Sequence, residues 1–132
     1  MKKLIAAAAA LMMTSGASFA DPAAGLWQSE RSAETGRFMH VRLAPCGSEV
    51  CGTIQTVFDP DNKPIANHEF QGKRMIWAMK PQGNGAYADG QIWAPDDEKT
   101  YESKMQLKSA SQLEVEGCVL FICRGQTWRR VQ

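Results

Sequence analysis

The feature that most constrains this chain is a repeated alternation. Beyond residue 20, apolar and polar residues trade places at every second position in short runs, broken about every 8 to 15 residues by Gly, Pro, Asn and Asp. In the run Tyr101-Glu102-Ser103-Lys104-Met105-Gln106-Leu107-Lys108, Tyr, Ser, Met and Leu share one face and Glu, Lys, Gln and Lys the other. A period of two places such sets on opposite sides of a β-strand, one side buried and one wet. Leu113 and Val115 against Glu114 and Glu116 repeat the pattern, as do Met39, Val41 and Leu43 against His40 and Arg42. Helical spacing is almost absent, so the chain reads as all-β. Strands are expected near Gly25 to Glu30, Phe38 to Leu43, Val50 to Phe58, Lys73 to Lys80, Ala86 to Ala94, Thr100 to Leu107, Gln112 to Gly117 and Gln126 to Val131.

Short connections rich in turn formers, such as Lys80 to Gly85 and Lys108 to Ser111, favour sequential hairpins. Eight antiparallel strands joined this way remove their exposed edges by closing the first on the last, giving an up-and-down barrel of the size that can hold one small ligand. A sandwich is the alternative. The fifth strand fits either facing: Tyr87, Asp89, Gln91 and Trp93 lie on one side, Ala86, Ala88, Ile92 and Ala94 on the other, and Gly90 suits a bulge between them. Asp59 to Gly72 is the longest connection and reads as loop.

The first twenty residues are unlike the rest. Lys2 and Lys3 precede an apolar run from Leu4 to Met13, and Ser18-Phe19-Ala20 offers small residues at both positions that a signal peptidase reads. The expected division is a signal peptide over residues 1–20 and a barrel domain over 21–132, for a periplasmic or secreted protein. The apolar run is too short for a membrane span, which needs about 20 apolar residues, and no other span is expected in the mature chain. Removing Lys2 and Lys3 from fifteen basic residues leaves thirteen, against fourteen acidic ones. That balance lacks the basic footprint of a nucleic-acid binder.

All four cysteines, Cys46, Cys51, Cys118 and Cys123, lie beyond the leader, and an even number in an exported chain reads as disulfides. A four-thiolate zinc site prefers tighter C-x2-C knuckles, so no metal is expected. In an eight-strand meander the turn holding Cys46 and Cys51 lies at the opposite end from the turn holding Cys118 and Cys123. Disulfides need Cα atoms within about 7 Å, so the meander predicts local pairs, Cys46 with Cys51 and Cys118 with Cys123.

An ordered set of motifs resembles the bacterial domain-of-unknown-function family 2147: Gly25-Leu26-Trp27, Cys46-Gly47 with Cys51-Gly52-Thr53-Ile54, Gly90-Gln91-Ile92 with Pro95, Lys99-Thr100-Tyr101, Leu113 to Cys118, and Cys123 to Arg130. The resemblance implies an exported, lipocalin-like or calycin-like barrel with no assigned activity. Members often carry a longer Asn-Pro-containing insert after the third strand, where this chain has the abbreviated Asp59 to Gly72. The lipocalin Gly-x-Trp is matched by Gly25 and Trp27, and the late basic residue that covers this Trp in lipocalins corresponds to Arg129 or Arg130. The resemblance thus implies a seal of the barrel, a guanidinium stacked on Trp27.

Catalytic patterns are missing: the chain has two histidines, His40 and His68, and neither a G-x-S-x-G nor an H-E-x-x-H motif. No catalytic residue and no cofactor is expected. Asp59, Asp61, Asp96, Asp97 and Glu98 suit solvated turns better than a calcium site or an acid/base pair, since Asp initiates turns and EF-hand spacing is absent. A hydrolase acting through Asp59, Asp61 or His68 is the weakest reading. The aromatics are the remaining functional candidates. Trp77, Trp93, Tyr101 and Met105 are expected to wall a pocket for a small, largely apolar ligand, with Phe121 as its lid. The competing expectation is a barrel filled by these side chains, leaving an outer face that binds an envelope protein. The connections Arg31 to Gly36, Asp59 to Gly72, Pro95 to Lys99 and Val119 to Gly125 should emerge together as the mouth, bringing Asp59, His68, Asp96 and Arg124 to one end.

Overall fold

The structure is a computed structural model that describes residues 21–132, so the expected leader and its cleavage point lie outside the described residues. Eight strands follow one another: β1 (Gly25–Gln28), β2 (Phe38–Cys46), β3 (Glu49–Phe58), β4 (Arg74–Gly83), β5 (Ala86–Ala94), β6 (Lys99–Ser109), β7 (Gln112–Val119) and β8 (Ile122–Arg130). Each pairs antiparallel with the next, and β8 returns to β1 to close the barrel.

The alternation read from the sequence decides which residues point inward. Met39, Val41 and Leu43 on β2, Met105 on β6, and Leu113 and Val115 on β7 are all buried in one apolar core. β5 resolves its two-sided pattern by breaking register. The pairing with β6 shifts between Tyr87 and Gly90, with Asp89 at φ 59°, so Tyr87 and Ile92 both reach the core. Gly90 is required there, because a Cβ on it would stand 2.6 Å from Met79 Sδ.

One expected boundary is corrected. The segment Val119 to Gly125 is not a long loop: β7 continues to Val119, β8 starts at Ile122, and only Leu120 and Phe121 connect them. The ladder runs to the tip, with Cys118 opposite Cys123 and Val119 opposite Ile122. The disulfide between those cysteines ties the strands side by side, and Leu120 at φ 55° takes the left-handed conformation that so tight a reversal needs. The second disulfide, Cys46 to Cys51, staples the β2–β3 hairpin.

Candidate functional site

The end of the barrel where Asp21 to Ala24 meet β8 is sealed. Trp27 lies in the core with its indole N–H donating to the Ala23 carbonyl at 2.8 Å. The Arg130 guanidinium stacks 4.4 Å above the Trp27 ring and donates to the carbonyls of Ala110, Ala24 and Pro22. Arg129, one residue earlier, points outward and is exposed. Tyr87 bonds Asp21 across the same end, and burial first, then this contact, raises its phenol far above the usual range.

The middle of the barrel is filled. Trp27, Val41, Ile54, Ile76, Met79 and Leu113 each have 0% exposure, so no water-sized void touches them. A Cβ on Gly52 would meet Leu43 Cδ2 of the neighbouring strand at 2.7 Å, so that side chain already fills the space over Gly52.

At the other end, three of the four expected connections, β1–β2, β3–β4 and β5–β6, are joined by hydrogen bonds, and the β7–β8 hairpin makes none to them among the described residues. Ser32, between β1 and β2, donates to the Asp96 carboxylate between β5 and β6, on the far side of the barrel. Arg31 donates to Pro60 O and to Asn62 between β3 and β4. The mouth is therefore bridged. Its carboxylates serve the turns: Asp59 accepts the amides of Asp61 and Lys63, and His68 Nδ1 accepts the Phe70 amide at 3.0 Å. The Tyr101 hydroxyl donates to Asp97, which lowers the Asp97 carboxyl and raises the Tyr101 phenol.

Of the expected pocket walls, Met105 and Trp93 are buried members of one core cluster, with Trp77 and Tyr101 packed against it. Trp93 packs under Phe70 at 4.9 Å and Lys73 at 4.4 Å. Trp77 and Tyr101 are half-buried on different strands. Phe121 is 99% exposed and covers nothing. Two pockets open on the outside. One, of about 340 Å³, lies beside the Cys46–Cys51 hairpin between Arg42 and Arg74. The other, of about 190 Å³, lies where β1 leaves β8, with Phe38 in its lining and Glu30, Arg31 and Arg129 around it.

The exposed apolar surface concentrates at one place. Val119, Leu120, Phe121 and Ile122 are 55%, 83%, 99% and 70% exposed at the tip of the β7–β8 hairpin. Sequence reasoning treated this segment as a loop with a lid. The signal for its true state was present: two disulfide-bonded cysteines five positions apart force the four residues between them into a reversal, and a reversal that short has no interior in which to hide them.

The fold and these surfaces can now be set beside known proteins. The family model described as "Uncharacterized protein conserved in bacteria (DUF2147)" matches residues 25–130. The chain belongs to this family. Among solved structures, the DUF2147 chain is similar to one titled "Protein HP1028 from the human pathogen Helicobacter pylori belongs to the lipocalin family", with TM-score 0.66 and 15% sequence identity over 83% of this chain and 82% of that one. The likeness is one of fold, a lipocalin-like barrel. No curated protein sequence matches the chain.

Proposed function

We propose that this DUF2147 protein is a non-enzymatic binding protein of the cell envelope that works from its outer surface, with the barrel as a solid scaffold. The observation that carries this reading is an inversion of what a carrier needs. The barrel interior is packed with side chains of 0% exposure, while a contiguous apolar group stands in solvent at the hairpin tip. Contiguous exposed apolar surface marks an interaction site. The two disulfides fit an oxidising extracellular or periplasmic compartment. The test is capture from envelope extract by immobilised protein, comparing wild type with Phe121→Asp. Loss of a specific captured partner in the variant supports the reading, and an identical capture profile counts against it.

A second reading, a carrier of a small, largely apolar ligand, is favoured by the lipocalin-like fold and by the way the mouth is held. Ser32–Asp96 and Arg31–Asn62 are exposed hydrogen bonds for which water competes. A mouth held so lightly can open. Tryptophan emission titrated with fatty acids, quinones and aromatic compounds separates the two: a saturable shift favours the carrier, and a flat response favours the surface module.

A further inference from the structure

On the outside of the barrel, one row across three strands gathers positive charge that the described residues do not neutralise. Thr53 of β3 stands opposite both Arg42 of β2 and Arg74 of β4. Directly paired residues share a face of the sheet. Here it is the outer face, because Val41, Leu43 and Ile54, the chain neighbours of Arg42 and Thr53, point into the core. With neighbouring strands about 4.8 Å apart, the two arginines start roughly 10 Å from one another, a span their long side chains can close over Thr53. Like charges so placed repel. Among the described residues the salt bridges are Lys80–Glu49 and Lys108–Glu114, and neither includes this row. Arg42 is held by neutral groups instead: Nε donates to Gln55 Oε1 at 3.1 Å and Nη2 to Gln132 Oε1 at 3.3 Å. These bonds aim the guanidinium without cancelling its charge, and they leave Nη1 to donate. Arg42 and Arg74 are both exposed, and both line the 340 Å³ pocket. The rest of its floor is largely apolar, made by Ala44, Pro45 and the Cys46–Cys51 disulfide. Ala44 pairs with Cys51, two residues along from the Arg42–Thr53 pair, so apolar surface begins about 7 Å from the charged row at the rise of a strand. Glu49 lies at the far end of this hairpin, opposite Cys46, and is taken by Lys80.

We propose that this outer pocket binds a small amphipathic carboxylate. The carboxylate sits between Arg42 and Arg74 over Thr53, and the ring or short alkyl chain it carries lies on Ala44, Pro45 and the disulfide. Each part of the ligand answers one feature of the site. Two guanidinium groups without a carboxylate of their own select an anion, and the planar N–H fork of arginine matches the two oxygens of a carboxylate. The apolar floor selects a ligand with a body to desolvate, and so rejects a bare anion. The volume, at the small end of the roughly 300–1,000 Å³ usual for ligand sites, selects a compact one. The inference goes beyond the surface-binding reading above: this site stands on β2, β3 and β4, whereas the apolar tip belongs to β7 and β8.

Titration of the whole protein with naphthoate, followed by amide NMR spectra, tests this. Naphthylmethanol serves as the uncharged counterpart and acetate as the head group alone. Naphthoate should give saturable shifts centred on Ala44, Cys51 and Thr53, with the alcohol and acetate binding at least about tenfold more weakly. Added salt should weaken the naphthoate complex. Arg42→Gln and Arg74→Gln change exposed side chains and should keep the wild-type fold by far-UV circular dichroism, while each lowers naphthoate affinity about tenfold. No saturable shift with naphthoate overturns the proposal, as do equal binding of the alcohol or an unaltered affinity in both arginine variants. Phe121→Asp should bind naphthoate as wild type does. Loss of that binding would put the ligand at the hairpin tip and overturn the outer site, whereas loss of envelope capture alone in this variant bears only on the surface-binding reading.

Discussion

Arg130 shows how much one side chain holds. It stacks on Trp27 and ties three carbonyls from the N-terminal segment and the β6–β7 turn. Removing a charged donor strands those acceptors, so Arg130→Ala should cost about 2–4 kcal/mol in urea unfolding. Arg129→Ala, on the outer face, should stay within about 0.5 kcal/mol for the fold of the single chain. Gly90→Ala tests the packing directly: its methyl would press on Met79 Sδ and on the Met79 backbone, an overpacking expected to cost about 1–3 kcal/mol in the same assay. His40 sets a pH dependence. Its imidazole bonds Gln28 at 3.1 Å and lies against Phe58, and burial holds its pKa below the ordinary value of 6.5. The folded state thus binds its proton less readily than the unfolded state. The contribution is fully present above pH 6.5 and is lost as pH falls below it toward the folded value. Melting temperature should drop on acidification through this range, and His40→Gln should flatten that part of the curve. An unchanged curve in the variant would remove His40 as the cause.

Hairpins are the working elements, and their disulfides differ in consequence though not in span. Each closes a small loop, for which chain entropy predicts about 2 kcal/mol. Breaking Cys46–Cys51 leaves a hairpin whose Val50 and Cys51 are buried, so stability should fall by that amount with little local change. Breaking Cys118–Cys123 with paired Ser substitutions releases a tip whose four residues are all exposed. Chymotrypsin should then cut at Phe121 faster than in wild type while the barrel remains intact. Equal cleavage rates would show that the ladder alone holds the tip. At this scale the sequence was partly legible. The alternation of Met39 to Leu43 and Tyr101 to Leu107 predicted the inward faces, because a strand has only two sides. The start of β8 was missed because Cys123-Arg124-Gly125 carries no apolar alternation. What makes it strand is pairing with Gly117 and Glu116 across the hairpin, for which the spacing of Cys118 and Cys123 was the one local sign.

Closure is the property of the whole molecule, and it is uneven. β1 contributes four residues and meets β8 at two register pairs, reinforced by Val131 and Gln132 bonding Leu26, while β2 meets β3 over nine. Local opening follows the weakest pairing. Native-state hydrogen exchange should therefore release the Leu26 and Gln28 region before the amides of β3 and β6, and uniform protection around the barrel would contradict this. The same unevenness explains why the candidate surface lies where it does. A strand of nine residues closing on one of four must leave part of its edge uncovered.

The sequence by itself determined the strand count, the inward faces of β2, β6 and β7, the local disulfides and, through the motifs from Gly25-Leu26-Trp27 to Arg130, the family. All of these follow from short-range periodicity, turn chemistry and the reach of a disulfide. Only the tertiary structure decided the rest. Whether a ring of aromatics lines a cavity or fills it depends on which side chains the closed barrel brings together, and here Trp27, Val41, Ile54, Ile76, Met79 and Leu113 are packed to 0% exposure. Trp93 and Met105, on different strands, are brought into one core cluster by the same closure. Which edge stays unpaired is likewise a matter of closure, the meeting of residues more than ninety positions apart, and no local pattern encodes it.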